Sequence, residues 1–398
     1  MASRSSKEWT DPPCLPSTHY VEGNVYTSSE IFIEEKNKIF EKLWQFVCHE
    51  SEIPLVYDFK TFDFLGKPIL IQRGGDGIIR SFLNVCSHRG AKIVHELSGN
   101  KKIHRCFYHL WTYDDKGSCV GMPRDEGYSK VNLDKNDLGL RLIKTDSFNG
   151  LIFINFDEKS GTLKNFIKDS LSSFESTLSS EDLEVIHYSK SIIKCNWKAW
   201  QETNLDLYHE WMHVLLRKTQ IDITKMKDRK VQSFLNGHTA VGGLKASYKN
   251  YLGMKSRKED MTLPGLEASD FFFVDIFPNT ALLARGTVIR IDTVTPIDEK
   301  TSIIEWRGLG LKSDSPEERI LRYQHHNQYW GPFGRNVPED AFAAEACEMG
   351  FRSRASLYQI IAREENLSAQ DDGMLRFWYS EWSRLLNRSF SKTNKLIK

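Results

Sequence analysis

Two short Cys/His pairs near the end of the first quarter of the chain have the composition of a metal site. Cys86 and His88 form a Cys-x-His pair, and Cys106 and His109 form a Cys-x-x-His pair, with residues 89–105 between them. A Rieske [2Fe–2S] centre binds one iron through two thiolates and the other through two imidazoles, which raises its reduction potential. The two mixed pairs therefore predict a cluster of this type.

A structural zinc site is the alternative for these four side chains. Zinc fingers of the Cys₂His₂ type place both cysteines in one pair and both histidines in the other, whereas each pair here holds one of each. The flanking residues favour the cluster, because Ser81–Val85 and Lys101–Arg105 could form strands, and Arg89-Gly90 and Tyr113–Gly117 carry turn signals. We therefore expect two ligand loops that each follow a short strand.

A second pair of histidines lies in the segment QETNLDLYHEWMH, which begins at Gln201. His209 and His213 are four residues apart, so on a helix they would share one face and could bind one metal ion. Glu210 between them completes the HExxH pattern of zinc hydrolases, in which the glutamate is the general base. Two buried core histidines without a metal are the plainer alternative.

Mononuclear Fe(II) explains the two sites together better than zinc does. Zinc has no redox chemistry, so it could not accept electrons from an iron–sulfur cluster. Two histidines and one carboxylate on one face of Fe(II) leave positions open for O₂ and a substrate. His209 and His213 are therefore interpreted as two ligands of a mononuclear iron.

In these segments the chain resembles the large (alpha) subunits of the Rieske non-haem iron ring-hydroxylating oxygenases, and the resemblance covers nearly the whole chain. The positions that match the family pattern are Asn84, Cys86, His88, Arg89, Gly90, Cys106, Tyr108, His109, Trp111, Tyr113, Gly117, Asn196, Trp197, Lys198, Glu202, Asp206, Tyr208, His209 and His213. Three positions depart from it: Phe107 replaces the usual Pro, Leu110 the usual Gly, and Thr203 an Asn that is common there. His209 and His213 are also one residue closer together in the sequence than the corresponding histidines of most relatives. This shorter spacing should rotate the second imidazole relative to the first.

The resemblance implies that the third iron ligand is a carboxylate on a late helix. Asp340 fits that position, and Glu339 and Glu345 are the next choices. Taken without the resemblance, Asp340 would be a typical first-turn acid of a helix that begins near Pro338.

The resemblance also assigns a role to Asp206. Its carboxylate would accept a hydrogen bond from the ring N–H of His209 and fix the tautomer of that imidazole. In the family the equivalent Asp bridges to a Rieske histidine of a neighbouring subunit, which would be His109 here. Electrons would then cross between subunits of a trimeric ring.

The pattern of apolar residues changes along the chain in a way that predicts separate domains. Helical spacing predicts an amphipathic helix over residues 30–47, and short apolar runs as far as Phe156 predict an antiparallel sheet. The resemblance implies an α+β fold, in which an antiparallel Rieske domain joins a catalytic domain with a twisted, helix-grip-like antiparallel sheet covered by helices. The predicted division is an N-terminal helical segment packing on the catalytic domain (1–46), a Rieske domain (47–157) and a catalytic domain (158–398).

The predicted elements of the catalytic region are a helix, several strands and a helical end. The helix runs from Ala199 to about Lys218, and the residues from Pro316 onward are mostly helical. A turn at Pro296–Thr301 predicts a hairpin. The predicted strands are Glu184–Trp197, Gly242–Tyr248, Phe271–Phe277, Thr280–Thr293 and Thr301–Lys312.

Composition limits the class of protein. The chain has 398 residues and a net charge of +1, with 54 basic and 53 acidic residues, which gives no sign of a nucleic-acid surface. No apolar run is long enough to span a membrane, and we expect no signal peptide. The seven cysteines do not suggest a disulfide framework, so a reducing cytoplasm is expected.

These observations predict the terminal oxygenase alpha subunit of a multicomponent system. No GxGxxG motif opens a helix, so electrons from NAD(P)H would come from a separate reductase, with or without a ferredoxin. The expected assembly is a homotrimer, or α₃β₃ with a small beta subunit. The expected reaction is mono- or dioxygenation of a small aromatic or anionic substrate. The alternatives are a Rieske electron-transfer or redox-sensing protein, and a zinc hydrolase using His209, Glu210 and His213.

Residues that flank the ligand segments or lie on predicted inner strand faces are candidates for the substrate pocket. They are Val214, Leu215, Phe272, Phe277, Phe333 and Met349. Arg285 and Arg290, on one predicted strand, could bind a carboxylate or a sulfonate.

Overall fold

A computed structural model of the chain describes residues 11–131, 133–213, 230–245, 260–331, 334, 336–364 and 370–392. The chain divides into two compact units, one formed by residues 41–163 and the other by residues 1–40 together with 164–398. Among the described residues, no helix is long and apolar enough to cross a membrane.

The strands are numbered in chain order. They are β1 (Tyr20–Glu22), β2 (Gln45–His49), β3 (Asp58–Phe64), β4 (Lys67–Arg73), β5 (Ile79–Leu83), β6 (Ser98–Asn100), β7 (Ile103–Arg105), β8 (Thr112–Asp114), β9 (Cys119–Gly121), β10 (Leu142–Phe148), β11 (Leu151–Asn155), β12 (Leu183–Ile193), β13 (Lys230–Ser233), β14 (Thr239–Lys245), β15 (Asp270–Ile276), β16 (Thr280–Ala284), β17 (Ile289–Asp298), β18 (Thr301–Leu311) and β19 (Tyr358–Ile360).

The α-helices are numbered in the same way. They are α1 (Asn24–Thr27), α2 (Ser29–Glu35), α3 (Leu163–Ile167), α4 (Glu175–Leu178), α5 (Trp197–Leu205), α6 (Pro316–Trp330), α7 (Val337–Arg352) and α8 (Gly373–Leu386).

The unit formed by residues 41–163 consists of two antiparallel sheets. Seven strands follow the order β2-β11-β10-β5-β4-β3-β6, and β7-β8-β9 form a small second sheet. The two Cys/His pairs follow β5 and β7, as the flanking residues predict. A buried core of Phe59, Leu70, Phe82, Trp111 and Tyr113 also includes both cysteines of these pairs.

The other unit is built around a second antiparallel sheet of seven strands, in the order β12-β18-β17-β16-β15-β14-β13. The hairpin predicted at Pro296–Thr301 joins β17 and β18. The β1 and β19 strands pair separately, and helices α5 to α8 belong to the same unit. The predicted α+β class, an antiparallel cluster domain with a helix-covered antiparallel sheet, is therefore confirmed.

Buried polar contacts fix α5, the helix that leads to the histidine pair. Its N-cap residue is Asn196, whose side chain accepts from the Lys198 N–H. Glu35 is fully buried and pairs with Lys198 Nζ at 2.7 Å, and it accepts from the indole N–H groups of Trp197 and Trp382 at 2.8 Å. A buried carboxylate needs such partners because it has lost its water. The N-terminal segment therefore holds this helix in place.

Several predicted elements are wrong in their extent. The strand predicted over Glu184–Trp197 ends at Ile193, and Trp197 begins α5. The helix predicted over 30–47 ends with a π-helical turn at Phe40, and Val47 lies in β2. The helix predicted from Ala199 to Lys218 begins at Trp197 and ends at Leu205, while residues 214–218 lie outside the described part.

The strand predicted over residues 280–293 is two strands, β16 and β17, separated by a turn. Gly286 has a φ of +59° in that turn, a conformation that glycine adopts without steric cost. The glycine was the sequence signal for the break, because an isolated glycine within a strand pattern often interrupts it.

Candidate metal centres

The two Cys/His loops have the same backbone design. In the first, the Cys86 N–H donates to the Ala91 carbonyl, and Gly90 donates back to Cys86. In the second, the Cys106 N–H donates to the Trp111 carbonyl, and Leu110 donates back to Cys106. The two loops therefore present their ligands in equivalent ways, although they differ in sequence.

The turns in both loops need a left-handed residue. Gly90 has a φ of +74° and Leu110 a φ of +59°. A residue with a Cβ atom is strained in this region, so Leu110 adopts a conformation that suits glycine. Leu110 in place of the usual Gly therefore carries a conformational cost, which other interactions of the loop must offset.

The side chains of these loops fit an iron–sulfur cluster. Cys86 and Cys106 are buried and do not form a disulfide. The imidazole rings of His88 and His109 lie 4.5 Å apart, and the Nδ1 atom of each is buried without a hydrogen-bond partner among the described residues. Buried polar atoms are normally satisfied, so two orphaned Nδ1 atoms beside two buried sulfurs indicate a metal group between the loops.

Nearby aromatic residues hold these ligands in position. The Trp111 ring stacks on His88 at 4.7 Å, and the Tyr113 hydroxyl lies 3.2 Å from Cys86 Sγ and accepts from the Ser87 N–H at 3.0 Å. Burial, together with electrostatic interactions with His109 and Arg89, lowers the pKa of His88. A lowered pKa favours the neutral imidazole, which is the form that binds a metal ion.

The second candidate centre brings together three residues from two elements. His209 and His213 follow α5, and Asp340 lies in the first turn of α7; their candidate ligand atoms all lie within 4.8 Å of one another. The Nε2 atoms of both histidines lie 3.3 Å from Asp340 Oδ1. Adjacent ligands about 2.1 Å from a metal are themselves about 3 Å apart, so this spacing suits a shared ion.

The electrostatics of this cluster suit a bound cation. Asp340 Oδ1 is buried and, apart from the two imidazole nitrogens, has no polar partner among the described residues. Burial acts to lower the pKa of His209, but the Asp340 carboxylate outweighs it and raises the pKa to about 9. A metal ion at Nε2 would take the place of that proton. Two nitrogens and one carboxylate form the donor set of a 2-His-1-carboxylate iron site.

The histidine pair does not lie on one long helix as predicted. After α5 ends, residues Leu207–Trp211 form a 3₁₀ turn that carries His209, and His213 follows this turn. The two rings are 5.0 Å apart with an interplanar angle of 77°. A change of helix type alters side-chain directions, so the turn allows histidines at this short spacing to face the same carboxylate.

Asp206 contacts His209 differently from the sequence-based expectation. The His209 Nδ1 atom contacts the backbone carbonyl of Asp206, and the Asp206 carboxylate accepts from the Tyr208 N–H at 2.8 Å. Asp206 is the C-cap residue that follows α5, and its carboxylate caps the next turn. Within the chain, the backbone carbonyl of Asp206 therefore sets the tautomer of His209. The Asp206 carboxylate is half-buried and lies beside a cavity of about 300 Å³ that His209 also lines.

The alternative carboxylates on α7 have other contacts. Glu339 Oε2 lies 2.7 Å from His213 Nδ1, on the side of the ring away from Asp340. Glu345 accepts from the Lys194 N–H at 2.9 Å. The geometry therefore favours Asp340 as the third metal-facing residue. Sequence analysis identified Glu339 only as an alternative ligand to the adjacent Asp340, and nothing in the sequence indicates its contact with His213.

A buried polar cluster lies next to the metal-facing residues. The Arg290 guanidinium donates to Asn204 at 2.8 Å and pairs with Asp292 at 3.1 Å, while its Nε has no hydrogen-bond partner in the part of the chain that the structure describes. Burial raises the pKa of Asp292 to about 6, against the opposing effect of Arg290. Sequence analysis found Arg290 but not Asn204 or Asp292, since nothing in their spacing distinguishes them from structural polar residues.

The remaining pocket candidates have mixed outcomes. Arg285 is buried and lies in the turn after β16, not on one strand with Arg290. Its guanidinium is 4.8 Å from the Tyr329 ring centroid. Phe277 is buried and Phe272 half-buried, whereas Met349 is 73% exposed. The other candidates, Val214, Leu215 and Phe333, lie outside the described residues.

Comparison with known proteins agrees with both centres. Residues 43–134 match the Rieske [2Fe–2S] domain, and residues 180–383 match the catalytic domain of the ring-hydroxylating alpha subunits. The chain is 43% identical to the 2-aminobenzenesulfonate 2,3-dioxygenase subunit alpha of Alcaligenes sp., over 97% of this chain and 98% of that protein. It is 38% identical to the methanesulfonate monooxygenase hydroxylase subunit alpha of Methylosulfonomonas methylovora, over 98% and 96% of the two chains.

Solved structures share the fold. Naphthalene 1,2-dioxygenase with bound indole has a TM-score of 0.78 at 22% identity, and 94% of each chain is covered. A quaternary ammonium Rieske monooxygenase has a TM-score of 0.77 at 21% identity, with 95% of this chain and 99% of that chain covered. At these identities the likeness shows the fold alone.

The comparisons decide between the functions that the sequence left open. The protein is an oxidoreductase that uses a Rieske [2Fe–2S] cluster, a mononuclear iron and O₂, and not a bare electron carrier or a zinc hydrolase. As a terminal oxygenase it depends on separate electron-supplying components and works in a multimeric assembly. On this similarity, the chain belongs to the Rieske-type ring-hydroxylating oxygenases, as an alpha subunit.

Proposed function

We propose that this protein oxygenates a small organic sulfonate. The observation that carries the proposal is the similarity over nearly the full chain to two oxygenase subunits that are named for sulfonate substrates. A sulfonate keeps its negative charge at all physiological pH values, so a buried site for it needs a cation. Arg290, buried beside Asn204 and Asp292, and the aromatic-lined Arg285 are buried cations of the catalytic unit that support an anionic substrate.

The proposed residue roles follow from the donor atoms. Cys86 and Cys106 would bind one iron of the cluster through sulfur, and His88 and His109 the other through Nδ1. The unit of residues 41–163 would be the Rieske domain, although the sequence placed its ends at 47 and 157.

His209 and His213 would bind the mononuclear iron through Nε2, with Asp340 as the carboxylate ligand. This iron supplies the site at which O₂ is activated. The chain's own residues hold the three donor atoms together, and Arg290 would fix the acidic end of the substrate. Residues 1–40 and 164–398 would form the catalytic domain, with the N-terminal segment packed on it.

We also propose that electrons pass between subunits, from His109 of one chain to Asp206 of the next. Asp206 is suited to this role because its carboxylate borders a cavity that reaches His209. The proposed assembly is a homotrimer, or α₃β₃ with a small beta subunit, supplied by a reductase with or without a ferredoxin. The proposed location is the cytoplasm.

Substrate pairs that differ only in the acidic group test the proposal. The purified oxygenase with an electron-donating reductase should consume O₂ and form a hydroxylated product from 2-aminobenzenesulfonate or methanesulfonate. The matched carboxylates, 2-aminobenzoate and acetate, should be turned over much more slowly. Product formation from the carboxylates with none from the sulfonates would refute the substrate class but leave the oxygenase assignment intact.

A further inference from the structure

Glu339 makes a contact that no ligand role explains. Its Oε2 atom lies 2.7 Å from His213 Nδ1, while the other ring nitrogen of His213, Nε2, lies 3.3 Å from Asp340 Oδ1. The His213 side chain is only 4% exposed and that of Glu339 26% exposed, so the hydrogen bond is largely shielded from water. The imidazole is therefore held between two carboxylates from adjacent residues.

The two carboxylates can reach opposite sides of the ring because of the geometry of α7. Successive residues of an α-helix point about 100° apart, so Asp340 and Glu339 leave the helix in different directions. The two nitrogens of an imidazole also point away from each other. A group bound to Nδ1 therefore cannot share a metal ion bound at Nε2, and Glu339 does not belong to the ligand set.

The two histidines of the centre have unlike partners at their outer nitrogens. His209 Nδ1 contacts the neutral backbone carbonyl of Asp206, whereas His213 Nδ1 contacts a carboxylate. A carboxylate that accepts a hydrogen bond from Nδ1–H leaves Nε2 unprotonated and able to bind a metal ion. It also makes Nε2 more basic than a neutral hydrogen-bond acceptor would. His213 should therefore be the stronger of the two nitrogen donors.

We propose that Glu339 is a positioning residue for the mononuclear metal: it fixes the tautomer and orientation of His213 and strengthens that ligand. The inference rests on the proposed ligand set of His209, His213 and Asp340.

Three variants and a reference test the inference. Glu339→Gln keeps an oxygen that can accept from Nδ1–H but removes the charge, and Glu339→Ala removes both. Glu345→Gln is the matched control, because Glu345 is a half-buried carboxylate on the same helix that accepts a backbone N–H. His213→Ala is the reference for loss of a ligand. Each protein is prepared with its cluster intact, and Fe(II) binding at the mononuclear site is measured by competition with a chelator, without substrate.

The expected result is a graded loss of affinity. Loss of a partner behind a metal-bound histidine typically weakens binding by about 10–100-fold, so Glu339→Ala should bind Fe(II) that much more weakly. Glu339→Gln should lose less, and Glu345→Gln should match the wild type. The EPR spectrum of the Fe(II)–nitric oxide complex should change in both Glu339 variants, because it reports the ligand field and not folding.

The possible outcomes distinguish a failure of the role proposed for Glu339 from a failure of the proposed ligand set. Wild-type affinity and an unchanged EPR spectrum in both Glu339 variants would overturn the inference, as would an equal loss in Glu345→Gln. If Glu339→Ala also loses the cluster absorbance and is misfolded, the milder Glu339→Gln decides. If His213→Ala still binds Fe(II) normally, the ligand set itself is wrong, whatever the Glu339 variants do.

Discussion

The metal-facing histidines of the two centres offer different ring nitrogens. In the Cys/His loops the Nδ1 atoms of His88 and His109 are buried without a partner. At the other centre Nδ1 is occupied, by a backbone carbonyl or a carboxylate, and Nε2 faces Asp340. A histidine can offer a metal only the nitrogen that its surroundings leave unprotonated. The hydrogen bonds around each ring therefore determine which atom serves as ligand.

Replacing Asp340 by Ala should remove the mononuclear iron and abolish turnover. Asp340 Oδ1 is the point shared by both imidazole Nε2 atoms, so the variant loses one of three donors and the charge that balances the cation. The Rieske absorption and EPR signals should be unchanged, because those ligands lie in the other unit. Iron analysis and O₂ consumption measure the two effects. Full iron content and activity would mean that another carboxylate is the third ligand.

Asp206→Asn should leave both metals bound but slow electron transfer to the mononuclear iron. The amide oxygen can still accept from the Tyr208 N–H, and the backbone carbonyl that contacts His209 is unaffected. Only the negative charge is lost. In rapid-mixing experiments with substrate and O₂, the reduced cluster should reoxidise about 10-fold or more slowly than in the wild type. An unchanged rate in a correctly assembled variant would exclude Asp206 from the path.

At the scale of single elements, backbone conformation limits which residues the ligand loops tolerate. The two loops have matching hydrogen bonds, and both turn through a left-handed residue, which is Gly90 in one and Leu110 in the other. Leu110 is half-exposed, so it gains little from packing to offset its conformation. The second loop is therefore the more strained of the two.

Leu110→Gly should stabilise the cluster domain, and Gly90→Ala should destabilise it. Replacing a non-glycine residue in the left-handed region by glycine should raise the free energy of unfolding by about 1–2 kcal/mol. The greater freedom of glycine in the unfolded chain offsets about 0.4–1 kcal/mol of this gain. A Cβ at Gly90 would meet no atom within 4 Å, so its cost of about 1–2 kcal/mol is purely conformational. The midpoint of thermal bleaching of the cluster measures both shifts. Stabilisation by Gly90→Ala would contradict this account.

A buried histidine gives the catalytic unit a pH-dependent stability. His238 Nε2 donates to the Phe166 carbonyl at 2.8 Å, and its Nδ1 accepts from the Phe277 N–H at 3.0 Å. Only the neutral imidazole can do both. Burial lowers the pKa of His238 from 6.5 to about 4 in the folded protein. The unfolded chain therefore takes up a proton at a higher pH than the folded one, and stability is lost as the pH falls from about 6.5 towards 4.

The free energy of unfolding should fall by about 2 kcal/mol from this group between about pH 7.5 and pH 5. Urea unfolding followed by tryptophan fluorescence at the two pH values measures the loss. His238→Gln, which cannot titrate, should be less stable at the higher pH but should show a shallower pH dependence than the wild type. Equal pH dependence in both proteins would show that His238 does not titrate in this range.

At the scale of the whole molecule, the two centres lie in separate compact units of the chain. An iron–sulfur cluster carries electrons, and a three-ligand iron site with open positions binds O₂ and substrate. The proposed ring of subunits would pair the cluster of one chain with the mononuclear site of the next. A complete path for electrons from the cluster to the mononuclear iron would then need two chains.

Co-expression of two inactive chains should restore part of the activity. One chain carries His109→Ala and lacks the cluster ligand, and the other carries Asp340→Ala and lacks the mononuclear ligand. In a mixed assembly some junctions pair an intact cluster with an intact mononuclear site, so O₂-dependent turnover should return. Each variant alone should remain inactive. No recovery in an assembly shown by affinity tags to contain both chains would contradict transfer between subunits.

The sequence by itself determined the features that depend on neighbouring residues. The Cys/His spacing, the strands before each pair and the hairpin at Pro296–Thr301 are local patterns, and the structure contains the strands and the hairpin that they predicted. The α+β fold itself was implied by the resemblance to a family. The resemblance to a family supplied Asp340, which is distant in sequence from His209. No periodicity could have selected it, because a first-turn acid of an ordinary helix has the same surroundings in sequence.

Tertiary structure decided how the site is completed. The helix after Trp197 ends at Leu205 although its apolar pattern continues, because the turn that carries His209 is held by contacts to Asp206. The contact of Glu339 with His213 joins residues from two elements, and its energy depends on distance and shielding from water. Local sequence fixes which residue types are present, whereas only the packing of α5 and α7 fixes which nitrogen each of them faces.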